Sequence, residues 1–151
     1  MKEQRIFELF DDEQKRVEFP DVVITTGVDT CVALGIINTR KRIGYLGHFL
    51  PLLTLPELLL DDAIEEAENI QELNISIAGS NPHYLFGRND DALAYIKWLK
   101  EMIRVKGIMP RQIISMHLKG EGCYTMSVDT KANKIRTIIE PVDDVREPFT
   151  E

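Results

Sequence analysis

Seven short apolar runs, set against only two stretches with helical periodicity, constrain this chain more than any other feature. VVITT (22–26) and CVALGIIN (31–38) are rich in β-branched side chains and too short for ordinary helices, so both read as strands, the second mostly buried. GVDT joins them tightly, with Gly27 free to take a positive φ. IGYLGHF (43–49) follows the polar turn NTRKR (38–42) and is predicted to form a hairpin with the strand before it. LNISIA (73–78) alternates with period two, and QIISMHL (112–118), CYTMSVD (123–129) and IRTIIE (135–140) complete the set. The turn TKAN (130–133) makes the last two a second hairpin.

The first helical stretch, 55–70, puts Leu59, Ala63, Ile64, Ala67 and Ile70 on one face behind Pro56, which suits a first helical turn. The second, 90–105, puts Leu93, Ile96, Leu99 and Ile103 on one stripe, with Asn89 or Asp90 as cap and Gly107 as stop. Strands outnumber helices, so the class is α+β. No repeat or Pro/Gly-rich linker divides the 151 residues, and one domain over 1–151 is expected. Residues 1–20 are an N-terminal extension of open packing: Ile6, Phe7, Leu9 and Phe10 read as a short packed element, and Asp11 to Arg16 as a solvated connection.

Charge narrows the partners. Eighteen Lys and Arg against 25 Asp and Glu leave a net charge of −7, too negative for a general nucleic-acid binder. Residues 1–75 carry a net of −8 and the rest +1, which favours a basic or mixed-charge protein partner. Arg40, Lys41 and Arg42 read as a solvated hairpin turn. No apolar run reaches the 18 or so residues of a membrane helix, so no membrane insertion is expected. The N-terminus has acidic residues where a secretory signal has an apolar core, and a cytoplasmic location with Cys31 and Cys123 as thiols follows as the expectation.

No phosphate loop, HExxH or dinucleotide fingerprint is present, and no cofactor is expected. The acidic pairs at 61–62, 65–66 and 90–91 are explained by solvation and helix capping. A zinc site from His48, His83, His117, Cys31 and Cys123 would draw on five distant points with no local pair to nucleate it, so no metal is expected. His117 reads as structural, His83 as lining a cleft from the polar loop without acting, and Cys123 as a buried small hydrophobe.

Cys31 is different. It follows a polar turn and opens an apolar strand, which holds the sulfur on a rigid element with its approach open. The N–H groups of Thr30 and Cys31 are placed to serve as an oxyanion hole. Antiparallel pairing would bring His48, seventeen residues on, within reach of the thiol as its activating partner. Thr25, six residues before the cysteine, would then hold the other ring nitrogen. Spacing alone permits the same arrangement for any strand cysteine and strand histidine.

TTGVDTCVALGI (25–36), GYLGHFLPLL (44–53), FGRN (86–89) and YTMSVDTKANKI (124–135) together resemble the CheD-type chemoreceptor glutamine deamidases and, more distantly, the catalytic domain of cytotoxic necrotizing factor toxins. GHFLP (47–51) is the most specific of these stretches. The likeness runs from about residue 21 to 140. It implies a CheD-like fold, β-sheets packed as a sandwich with helices outside. It implies a catalytic set of Cys31 as nucleophile, His48 as base and Thr25 orienting the imidazole. Gly27, Asp29, Thr30, Phe49, Arg88 and Asn89 would line the oxyanion hole or pocket. The implied reaction deamidates receptor glutamines through a thioester, with glutamyl methyl esters as further substrates. The implied partners are receptor-like helices bearing accessible glutamines, and a regulatory protein.

The chain also departs from that family. Asp29 and Thr30 replace the Gly and Ser before the nucleophile, and a carboxylate at 29 facing the pocket would raise the thiol pKa. KGEGCYT (119–125) lacks the arginine usual near the end. These departures keep a second reading open, a non-catalytic module of the same fold that binds a signalling protein.

Overall fold

The computed structural model describes residues 2–51, 54–80, 90–117 and 122–141. The elements in chain order are β1 (Ile6–Leu9), β2 (Glu13–Glu18), β3 (Val22–Val28), β4 (Val32–Asn38), β5 (Ile43–Phe49), α1 (Pro56–Glu66), β6 (Leu73–Gly79), α2 (Asp90–Val105), β7 (Ile113–His117), β8 (Gly122–Asp129) and β9 (Lys134–Pro141). They form a mixed α+β domain with two sheets and two helices. The four-stranded sheet runs β1-β3-β8-β9 and the five-stranded sheet β2-β5-β4-β6-β7.

Alternation of side chains assigns the layers. Ile43, Tyr45 and Phe49 of β5 point one way, with Val32, Leu34 and Ile36 of β4 and Ile75 and Ile77 of β6, to meet Leu59, Leu60 and Ala63 of α1 and Leu99 and Ile103 of α2. Leu46 points the other way, with Ala33, Ile37 and Ala78, to meet Val23, Val28, Met126 and Val128 of the four-stranded sheet. Both helices therefore cover one face of the five-stranded sheet, and the other sheet covers its second face. Strands buried on both faces read as continuous apolar runs, which is why β4 was legible as a buried strand. Glycines bring the sheets close: a Cβ on Gly44 would lie 2.6 Å from Val128 Cγ1.

Two segments differ from expectation. Residues 13–18 are not a solvated connection but strand β2, antiparallel to β5 with Glu13 opposite His48. β2 is an edge strand whose only fully buried side chain is Val17, so EQKRVE carries no apolar alternation to read. Only Phe10–Asp12 connects it to β1. The first helix is also shorter than 55–70. Ala67 turns extended at φ −74° and ψ 136°, and Asn69 accepts the Gln71 N–H to start a separate 3-10 turn at Ile70–Glu72. Ala67 and Ile70 still pack on the helix-side core.

The hairpins β4–β5 and β8–β9 are as expected, and Gly27 and Gly107 hold φ of +66° and +98°. Arg40 pairs with Glu68 and Glu72 at the exposed turn. His83, Arg88 and Asn89 lie outside the described residues, as do the side chains of Leu93 and His117. Among the described residues no helix is long and apolar enough to cross a membrane.

Candidate functional site

Two connections pass from the four-stranded to the five-stranded sheet: Phe10–Asp12 between β1 and β2, and Asp29–Cys31 between β3 and β4. Each delivers one side chain to the same place. Asp11 and Cys31 meet His48 of β5, and a carboxylate oxygen, the sulfur and a ring nitrogen all lie within 4.8 Å of one another.

Each position has a local cause. The register of β3 against β8 shifts between Thr25 and Val28. Gly27 takes its positive φ inside this irregularity, and pairing resumes at Val28 opposite Tyr124 before the chain leaves the sheet. The carbonyl of Cys31 then accepts the Ser80 N–H at 2.8 Å, which ties the turn to the end of β6. His48 shares the parity of Leu46 on β5 and so faces the other sheet, with its side chain only 1% exposed. The turn carrying Asp11 is pinned to the same strand, since the Asp12 N–H donates to the His48 carbonyl at 2.8 Å. Within that turn the Phe10 N–H donates to Glu13 Oε1 at 2.6 Å.

The protonation of the imidazole follows from counting hydrogens. Thr25, buried on β3, donates its hydroxyl to the Leu9 carbonyl at 3.0 Å. A hydroxyl has one proton to give, so at 2.7 Å from His48 Nδ1 the same oxygen must accept. Nδ1 therefore carries the hydrogen and Nε2 presents a lone pair. That atom is buried without a hydrogen-bond partner, 3.3 Å from Asp11 Oδ1.

Burial pushes the His48 pKa down, with Asp11 opposing in part. Burial also pushes the Cys31 thiol up, Asp11 and Asp29 add to the rise, and a hydrogen bond from Thr30 opposes it. At neutral pH the resting pair is a neutral thiol and a neutral imidazole.

The structure thus brings Thr25, Thr30, Cys31 and His48 together. Asp29 stands close enough to disfavour both the Cys31 and the Cys123 thiolates. Phe49 belongs to the helix-side core and also forms the floor of a groove shared with Glu13, Gln14, Leu55 and Leu58. A Cβ at Gly27 would meet no atom within 4 Å, and the residue holds a positive φ of +66°. Cys123 is half-buried rather than buried, because Tyr124, Met126 and Val128 take the inner face of β8 and leave it on the outer one. Asp11 is the residue sequence reasoning missed, and no local signal separates it from the acidic residues around it.

The sequence matches no family model, and no curated protein matches it at a significant level. The site itself is plain enough: a thiol, an imidazole with a bare lone pair and a carboxylate, held where two sheets meet, form a candidate cysteine-based active site.

Proposed function

We propose that this chain is a cysteine-dependent amidohydrolase of the CheD-like deamidase type, acting in the cytoplasm on glutamine side chains of a helical signalling protein. The observation that carries the reading is His48, buried, with its proton fixed on Nδ1 by Thr25 and its Nε2 lone pair left bare, in a ring with a nitrogen within 4.8 Å of the Cys31 sulfur. That is the state a general base needs.

In this reading Cys31 Sγ attacks the glutamine carboxamide carbon as its proton passes to His48 Nε2. The N–H groups of Thr30 and Cys31 would receive the charge developing on the oxygen. Collapse of the tetrahedral intermediate expels ammonia, which takes the proton back from Nε2, and leaves a γ-glutamyl thioester. Water then attacks the thioester, again with His48 as base, releasing glutamate and restoring the thiol. A glutamyl methyl ester enters the same path with methanol as leaving group. The groove floored by Phe49 supports a helical substrate: Leu55 and Leu58 are each more than half exposed there, and Asp12 and Glu13 form an acidic rim. An amphipathic helix with apolar and basic residues on one face complements that surface.

The test is ammonia release from helical peptides carrying glutamine, with asparagine counterparts as controls. The parent should release ammonia from glutamine only, and Cys31→Ser and His48→Gln should fall to background. One observation favours a second reading, a non-catalytic module that binds a signalling protein: Asp11 and Asp29 both disfavour the thiolate. Absence of turnover, together with Cys31 alkylation indifferent to His48, would decide for that module.

A further inference from the structure

We propose that Asp11, Cys31 and His48 form a three-ligand site for a thiophilic divalent cation of the zinc type, and that filling it silences the thiol. The inference needs only the three donors and does not rest on the hydrolase reading.

Sulfur, imidazole nitrogen and carboxylate oxygen are the ligand set zinc accepts, and here they lie within 4.8 Å of one another. Tetrahedral zinc with ordinary bond lengths holds its donors about 3.3–3.8 Å apart. The 3.3 Å between His48 Nε2 and Asp11 Oδ1 already meets that spacing. A wider separation involving the carboxylate can close through Asp11, whose side chain is 71% exposed, and the sulfur already lies within 4.8 Å of both other donors.

The second observation is the histidine. Its Nε2 is an unprotonated lone pair, buried without a hydrogen-bond partner and facing a carboxylate. Two electron-rich atoms so placed repel, and a dication between them would turn that repulsion into attraction. On its far side the ring donates Nδ1–H to Thr25 Oγ1, the outer hydrogen bond that metal-bound histidines ordinarily make. Asp11 stands on the Nε2 side of the ring, away from the Thr25 bond that orients the imidazole. With a dication bound, one thiolate and one carboxylate would neutralise the charge. Binding would release the thiol proton to solvent, form the sulfur–metal bond and transfer no electrons. Solvent would take the fourth position.

The experiment uses the reduced, chelator-treated full chain with Cys123→Ser to remove the second thiol. Cobalt(II) is the spectroscopic probe, and zinc affinity is read by competition with a chromophoric chelator. The expected result is one tetrahedral cobalt per chain with a thiolate-to-cobalt absorption band, displaced by zinc and lost in Cys31→Ser. Asp11→Asn should weaken zinc by at least about tenfold. Zinc should slow iodoacetamide alkylation of the parent at least about tenfold and, at the same concentration, protect Asp11→Asn less. Absence of the thiolate band would overturn the proposal. So would equal zinc affinity in the parent and Asp11→Asn, which would mean adventitious capture by the thiol and imidazole. Asp11 is exposed, so its variant should fold, and circular dichroism checks this. Failure of ammonia release in the metal-free protein would sink the hydrolase reading without touching this one.

Discussion

Gly79 lies so close against Cys31 that a Cβ at position 79 would sit 2.1 Å from the Cys31 carbonyl oxygen. The glycine holds φ at +104°, where a side chain is strained in any case. The end of β6 thus grips the backbone of the residue whose sulfur faces His48. Gly79→Ala should cost at least about 2 kcal/mol and displace the thiol. A lowered urea midpoint with unchanged slope, and loss of any His48 dependence in Cys31 alkylation, check this. Gly27→Ala is the control. It also has positive φ but meets no atom, and should cost only about 1 kcal/mol.

Thr25 supports both its neighbours through one oxygen. Thr25→Val would leave the Leu9 carbonyl and the His48 Nδ1–H buried without partners, at a cost of about 1–3 kcal/mol. Thr25→Ser keeps the hydroxyl and should keep most of the stability. Imidazole nitrogen chemical shifts report the tautomer directly. They should show the proton on Nδ1 in the parent and the serine variant, and a mixture in the valine variant.

The thiol should ionise above the ordinary cysteine range in the metal-free protein, since burial and two carboxylates all disfavour the anion. Asp11→Asn and Asp29→Asn each remove a negative charge and should move the alkylation midpoint down. Thr30→Val removes a hydrogen bond to the sulfur and should move it up. Opposite shifts in the two kinds of variant separate electrostatics from a general loosening of the site.

Acid should weaken the fold through His48. Its folded pKa is depressed, so its contribution is complete above the unfolded value of about 6.5 and is lost as pH falls through the folded value. The unfolded chain binds the proton first, and stability drops as the medium acidifies below that point. Urea midpoints measured across this range should fall in the parent and fall less in His48→Gln.

How much of this was legible depends on how loudly each residue speaks in its own neighbourhood. β4 announces itself because burial on both faces demands apolar residues throughout, and β6 because its apolar residues alternate with period two. Pairing across short turns, as in β4–β5 and β8–β9, follows from the chain itself. The parallel partners β1–β3 and β6–β7 are set by residues far apart in sequence, and nothing local names them. Thr25, Cys31 and His48 stood out through their residue types and the family resemblance of the stretches that carry them, spacing alone being common to any strand cysteine and histidine. Asp11 did not, because its place comes from Asp12 and the β2 edge pairing with β5, a strand whose sequence looks like loop. The Asn69 cap was a readable sign that the first helix ended early, overridden by the apolar period that Ala67 and Ile70 continue outside it.

Because Thr25 belongs to one sheet and His48 to the other, the chemistry of this protein is a property of the seam and of neither sheet alone. A fluctuation that parts the layers by a few ångströms would break the Thr25–His48 bond and release the ring while every strand keeps its ladder. Such openings cost less than global unfolding. Substitutions along the seam, such as at Gly44 or Met126, should therefore disarm the site at temperatures where spectroscopy still reports a folded molecule. Loss of thiol behaviour becomes the early warning of delamination.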